Sequence, residues 1–216
     1  VARDLRTPLG RLRNTLENAK ESISSPEDYR AVLDRAVFEV DGILDTFGAI
    51  LRIAQIESGS RRSGFQRLSL SELVCDVCET FAPSMEDAGK TFLTDIQPGL
   101  YVQGDRELLV QSLVNILENA ITHTAAGVRV IVSLKRSWRG VELSISDNGA
   151  GVPDAECENI FKRFYRLERS RSAAGNGLGL SIVAAVAELH GAKISSSSSN
   201  PGLKVTLLFS PVREAA

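Results

Sequence analysis

Apolar residues along this chain recur at two different periods, and the change from one to the other divides it. Up to about residue 23, Leu5, Leu9, Leu12 and Leu16 fall three and four residues apart with charged residues between them, which predicts an amphipathic helix. Pro8 lies inside it. The missing amide donor there is expected to bend the axis locally. Ser25, Pro26 and Asp28 form a helix start. From there Leu33, Val37, Val40, Leu44, Phe47 and Leu51 carry the helical period on to about residue 57. Two long helices joined by a short turn predict an antiparallel hairpin, and a hairpin cannot cover its own apolar faces. Pairing with a second copy into a four-helix bundle is the expected solution, with packing against the chain's other half as the alternative.

Residues 58–64, Ser-Gly-Ser-Arg-Arg-Ser-Gly, carry no period and read as a linker. Beyond them helical and alternating runs mix. A strand is expected over 65–70, and Ser69 with Glu72 is a capping box for a helix to about residue 88. Short strands are expected over 91–96 and 101–102. The stretch from Asp105 to Thr124 is the most regular in the chain. Leu109, Leu113, Ile116, Leu117, Ala120 and Ile121 share one arc of a helical wheel; Gln111, Asn115, Glu118, Asn119 and Thr122 share the other. Asp105 is its N-cap candidate. Alternating runs at 128–135 and 141–146, joined at Arg139-Gly140, predict two central strands. A long loop region over 147–177 with one short helix at 154–161 follows, then a helix over 178–190 and strands over 192–198 and 204–209. The expected fold is α+β: a hairpin domain over 1–58, a linker over 59–64, and over 65–213 an α/β sandwich, a sheet with helices on one face.

Composition narrows this picture little. With 216 residues, 43% of them hydrophobic, the chain can form a sizeable core. A net charge of -2 provides no general basic field, which argues against nucleic acid as a partner. Three cysteines are an odd number, and a reducing compartment is expected. Cys75 and Cys78 form a CxxC inside a helical pattern with no second pair; they read as packed thiols, a metal or redox site being the alternative. No apolar run is long enough to span a bilayer. Val1 begins directly on a helical pattern without a cap, so the chain reads as a fragment of something longer.

Three local patterns carry chemistry. Asn115 and Asn119 point the same way from one helix, although asparagine inside a helix costs about 0.5 kcal/mol relative to alanine. They are either two solvated amides or neutral oxygen ligands for a hard cation such as Mg2+, which completes its shell with water and phosphate. Asp147-Asn148-Gly149-Ala150-Gly151 leaves a strand end; the aspartate can accept from an exocyclic amine, and the glycines admit a ligand close to backbone. Gly175-Asn176-Gly177-Leu178-Gly179-Leu180 opens a helix whose unpaired amides can take phosphate. Each pattern alone also occurs as an ordinary turn or surface face.

In order, NILENAITHT, DNGAGVP, IFKRFYR, GNGLGL and the following His190-Gly191 resemble the boxes of the histidine kinase family, whose ATP-binding domain belongs to the group shared with gyrase, Hsp90 and MutL. The resemblance reaches the N-terminus, where ARDLRTPL is similar to the family's phosphoacceptor box and the hairpin to its dimerisation and phosphotransfer domain. It implies ATP with Mg2+, Asn115 on the metal, Asn119 near the phosphates, and His123 close to the nucleotide. It further implies Asp147 on adenine, with Gly149, Gly151, Gly175, Gly177, Leu178, Gly179 and Leu180 around the nucleotide. A mobile lid is implied between 161 and 175. Arg163 or Arg166 is expected to reach the phosphates or to be solvated. Implied partners are a second copy of the chain and a response regulator receiver domain; this piece would be a cytoplasmic fragment, and the whole protein would sit in the bacterial inner membrane through a region preceding it, a soluble sensor there being the alternative.

The chain departs from that pattern at residue 3. The family places its acceptor histidine immediately before the acidic residue of DLRTPL, and here the position holds Arg3. A guanidinium stays protonated and offers no lone pair to a phosphoryl group. Both histidines, His123 and His190, lie in the other half. Asp4 and Thr7 remain, one helical turn apart, an arrangement the family associates with orienting water against a regulator's aspartyl phosphate. The expectation is a chain that binds ATP but does not autophosphorylate and that retains regulator binding or phosphatase activity. An ordinary kinase with an engineered Arg3 and a related ATPase switch are the alternatives.

Overall fold

The computed structural model of the chain describes residues 2–22, 25–58, 64–167 and 176–210. They group into two compact units, Val1–Arg52 and Ile53–Ala216. Of the linker expected over 59–64, only Gly64 is among the described residues.

In the first unit α1 (Ala2–Ser22) runs through Pro8 as one helix, and α2 (Pro26–Glu57) begins within it. The start of α2 is built as its sequence implies. Ser25 Oγ accepts from the Asp28 amide at 3.2 Å and donates to the Asp28 carboxylate at 2.7 Å, and Glu27 and Asp28 place negative charge at the positive end of the helix. Thr15 of α1 donates to Glu39 of α2 at 3.3 Å. Residues so far apart in sequence touch across a short turn only if the two helices fold back on each other. Leu33, Val37, Phe38, Leu44, Phe47 and Leu51 of α2 nevertheless remain exposed, Phe38 at 75%. Covering side chains of this kind is worth about 1.5–3 kcal/mol each, so the face is a large unrealised stabilisation.

The second unit is an α/β sandwich. Five strands form its sheet in the order β2-β4-β5-β7-β6, from β2 (Thr91–Ile96), β4 (Arg129–Ser137), β5 (Gly140–Asp147), β6 (Lys193–Ser198) and β7 (Leu203–Phe209). β4 and β5 are interior strands, as their patterns predict. Only β2 and β4 run parallel. Alternation along β4 buries Val130, Val132 and Leu134, and along β7, on the far side of β5, it buries Leu203, Val205, Leu207 and Phe209. Onto the sheet pack α3 (Leu70–Asp87), α4 (Arg106–His123) and α5 (Gly179–Leu189), the last two also against each other. Ser69 caps α3 by accepting from the Glu72 amide at 3.3 Å.

Two features differ from the expectations. β1 (Gln66–Ser69) and β3 (Tyr101–Gly104) pair with each other as a separate antiparallel ribbon rather than joining the sheet. The single helix expected at 154–161 is instead two 3-10 turns, Asp154–Glu156 and Asn159–Phe161. Their bonds run from each amide to the carbonyl three residues back, as from Glu156 to Pro153 at 2.8 Å and from Lys162 to Asn159 at 2.9 Å. So short a segment cannot recover the cost of an α-helical nucleus.

Candidate functional site

α4 supplies the spine of the site because its N-terminus is firmly anchored. Asp105, 7% exposed, accepts the Leu108 amide on Oδ1 at 3.2 Å, and its own amide donates to His190 Nε2 at 3.0 Å. His190 closes the C-terminus of α5 in turn: its Nδ1 donates to the Val186 carbonyl at 2.8 Å, and its ring stacks on Phe65 at 4.5 Å. Those contacts require the neutral tautomer with the proton on Nδ1. Burial, the larger influence, depresses the imidazole's pKa below 6.5, against the Val186 carbonyl and the nearby Asp105 charge, which raise it.

Nearly three turns beyond Asp105 along α4, Asn115 leaves the helix half-buried. Its Nδ2 is buried without a hydrogen-bond partner among the described residues. Leaving a buried amide donor unsatisfied costs about 1–3 kcal/mol, so the Asn115 amide is left for a group that the described residues do not supply. The carboxamide faces the start of α5, where a Cβ built on Gly179 would lie 3.7 Å from Asn115 Oδ1. That helix start is open. Its cap residue Leu178 makes no side-chain bond to the first turn, while Asn176 Oδ1 accepts from the Leu178 amide at 3.2 Å. The free amides and the helix dipole make this end attractive to phosphate.

Gly177 shapes the turn before it. At φ +69° with a position for Cβ only 2.9 Å from the Tyr165 carbonyl oxygen, no larger residue fits without movement. The Gly177 carbonyl accepts from the Phe164 amide at 3.0 Å, and Phe164 itself takes φ +62°. That backbone costs a non-glycine residue about 1–2 kcal/mol. The aromatic segment is thereby fastened to the glycine turn, and Tyr165 donates to Glu156, which also accepts from Asn159 at 2.8 Å.

At the other end of α4, Asp147 closes β5. Its Oδ1 accepts from the Gly149 amide at 2.8 Å and the Leu203 amide at 3.4 Å, and its carbonyl accepts from Ser199 Oγ at 2.7 Å. Oδ2 has no hydrogen-bond partner among the described residues. Gly151 and Gly202 meet backbone to backbone, with no room for a Cβ on either. Thr124, the cap residue that ends α4, faces Gly149: a Cβ there would lie 3.1 Å from Thr124 Cγ2. Lys90 donates to the Thr124 and Ala125 carbonyls at 2.9 and 3.0 Å. Nothing in the local sequence pattern marks Lys90, Thr124, Ser199 or Gly202; a Pro201-Gly202 turn was the one signal available.

Of the remaining expected residues, Asn119 lies one turn beyond Asn115, half-buried, and Leu180 lies in the first turn of α5. His123 is exposed at its edge, yet its pKa is pushed down, first by the atoms packed around it and then by the Arg166 charge. Arg166 is thus near the α4 end of the site. Arg163 instead pairs with Glu57 at the end of α2. Arg3, Asp4 and Thr7 occupy the first turns of α1, and their side chains, like Gly175, lie outside the described residues.

The arrangement offers two ends for one ligand. Asn115 and Thr124 are nine residues apart on or at the end of α4, about 13 Å at 1.5 Å per residue. That span suits one elongated ligand with polar groups at both ends. No cluster of three histidine, cysteine or acidic side chains occurs among the described residues. A cation here would therefore share the neutral oxygen of Asn115 with phosphate oxygens, a donor set that suits Mg2+.

Residues 104–213 match the family model described as histidine kinase-, DNA gyrase B-, and HSP90-like ATPase. The sensor-like histidine kinase SenX3 of Mycolicibacterium smegmatis is 28% identical over 212 residues, 97% of this chain and 55% of its own length. This chain thus spans about half the relative it matches. The Acinetobacter baumannii histidine kinase AdeS superposes with a TM-score of 0.74 over 95% of this chain and 96% of its own, at 21% identity. The histidine kinase ThkA, solved in complex with the response regulator protein TrrA, gives 0.73 over 98% of this chain and 60% of its own, also at 21% identity.

Proposed function

The chain belongs to the histidine kinase-, DNA gyrase B- and HSP90-like ATPase family, and on that premise we propose that it is the core of a two-component sensor histidine kinase that binds Mg-ATP but does not phosphorylate itself. The observation that carries the nucleotide reading is the buried amide of Asn115, without a partner among the described residues, facing the uncapped start of α5. Asn115 would hold Mg2+ through its side-chain oxygen, with Asn119 toward the phosphates. Asp147 would accept the adenine amine on Oδ2. Gly177, Leu178, Gly179 and Leu180 would lay backbone along the phosphates, with Gly175 before them. His123 and Arg166 border the nucleotide between these ends, and Arg163 reaches the phosphates only by leaving Glu57. Bound magnesium would neutralise phosphate charge.

Loss of autophosphorylation follows from Arg3, which has no lone pair with which to attack the terminal phosphorus. Asp4 and Thr7 would still be able to orient a water against the aspartyl phosphate of a response regulator, releasing inorganic phosphate. A regulator partner is supported by the likeness to ThkA, whose solved complex contains one. The uncovered face of α2 supports pairing with a second copy of the chain. The domain division is proposed as hairpin over 1–58, linker over 59–64 and ATP-binding domain over 65–213.

Labelled γ-phosphate ATP tests the reading directly. No label is expected on the chain itself, and label is expected on Arg3→His. Label on the unaltered chain would remove the inference about Arg3, and steady phosphate release without a regulator would favour an ATPase switch. Regulator dephosphorylation that is unchanged by Thr7→Ala would remove the phosphatase proposal.

A further inference from the structure

Resting on the reading of this site as a nucleotide pocket, we infer that Lys90 is a positioning residue for the base: its ammonium holds the turn after α4 against the Asp147–Gly149 turn, and the gap so defined selects adenine. Lys90 is 8% exposed, which lysine seldom is without partners. Its partners are two main-chain carbonyls, those of Thr124 at 2.9 Å and Ala125 at 3.0 Å. Both lie just beyond the negative end of the α4 dipole, where a cation is favoured and where Thr124, in extended backbone, ends the helix without a glycine.

The backbone around Lys90 is joined to the same turn. Gly127 donates to the Gly89 carbonyl at 2.7 Å, Thr91 donates to Val128 at 3.0 Å, and Lys90 itself donates to Met85 at 2.9 Å. The lysine stem therefore starts from a fixed point. Beyond the ammonium, the Thr124 side chain stands so close to Gly149 that a Cβ there would meet its Cγ2 at 3.1 Å and its Cβ at 3.3 Å, and the Gly149 amide donates to Asp147 Oδ1 at 2.8 Å. Lys90 also senses Asp147 directly. Burial lowers the lysine's pKa, and the Asp147 charge opposes that lowering.

A carboxylate alone does not choose a purine. Adenine presents its N6 amine as a donor, and guanine presents N1–H and its N2 amine, so the edge that reaches Asp147 depends on where the walls hold the ring. Lys90 acts on one wall, without touching the ligand. A loosened Thr124–Ala125 turn would let the ring shift and would admit the guanine edge.

Lys90→Met keeps the stem and removes the charge and all three donors. Dissociation constants for Mg-ATP and Mg-GTP are measured by calorimetry on parent and variant, with urea unfolding of the nucleotide-free proteins alongside. The parent is expected to prefer ATP, and in Lys90→Met that preference should shrink by about tenfold, mainly through weaker ATP binding. Thr124→Ser removes only Cγ2 while keeping the hydroxyl that donates to the Ala120 carbonyl at 2.6 Å. It should shrink the preference by about threefold with unfolding unchanged, and it decides the matter if Lys90→Met does not fold. A parent without preference, or variants that retain the parent's ratio whatever their unfolding midpoints, would overturn the role of Lys90. A parent that binds neither nucleotide would instead remove the pocket reading beneath it.

Discussion

Two helices packed side by side in the same unit begin in opposite ways. α4 starts closed, with Asp105 accepting the Leu108 amide and donating its own amide to His190, while among the described residues α5 starts open, with no side-chain cap bond on its first turn and the Asn115 amide opposite without a partner. A closed start stabilises the fold; an open one leaves binding capacity unused. The contrast separates structural cost from function at two equivalent places, and substitutions at each should therefore move different observables.

The largest effect is expected from closing the open end. Gly179→Asp has room, since a Cβ there meets Asn115 Oδ1 only at ordinary contact distance, 3.7 Å. Its carboxylate would occupy the place proposed for phosphate, so Mg-ATP affinity by calorimetry should fall about 100-fold while stability to urea rises by about 0.3–1 kcal/mol. Unchanged affinity would show that phosphate does not bind at this end. Asn115→Ala should weaken Mg-ATP by about 10- to 100-fold. Because it removes a buried unsatisfied donor and a poor helix former, the nucleotide-free protein should be no less stable, and a loss above about 1 kcal/mol would mean that Asn115 has a structural partner.

Asp105→Ala should do the reverse, lowering stability by about 1 kcal/mol with nucleotide affinity unchanged. The smallest effect is a pH dependence at the same closed end. His190 has a folded pKa below the 6.5 of the unfolded chain, so the unfolded state binds more protons as pH falls. Its contribution is complete above about pH 6.5 and declines below it, through the window down to the depressed folded value, at no more than about 1.4 kcal/mol per pH unit. Urea unfolding midpoints should fall across that window in the parent and less in His190→Phe. An equal slope in both would remove His190 as the cause.

Much of the fold was legible because it rests on local periods. The bounds of α2 and α4, the caps at Ser25, Ser69 and Asp105, and the interior rank of β4 and β5 all follow from patterns repeated over many residues. Asn115, Asp147 and Gly177 were also legible as candidates, since each breaks a local rule: an amide inside a helix, an acid at a strand end, a glycine before one. Less regular stretches were not. The eight residues expected as one helix resolved into 3-10 turns, and Arg163, read as a phosphate ligand or a solvated loop residue, pairs with Glu57.

By itself the sequence determined where the long helices and the central strands lie, that a glycine-rich turn opens α5, and that residue 3 carries no acceptor nitrogen, because helix period, turn chemistry and side-chain identity are properties of neighbouring residues. Only the tertiary structure decided that β1 and β3 pair apart from the main sheet, that the Asn115 amide has no partner among the described residues, and that Lys90 reaches the far end of α4 from the start of β2. Those outcomes depend on contacts between segments tens of residues apart, and such contacts are set by how whole elements pack, which no local pattern encodes.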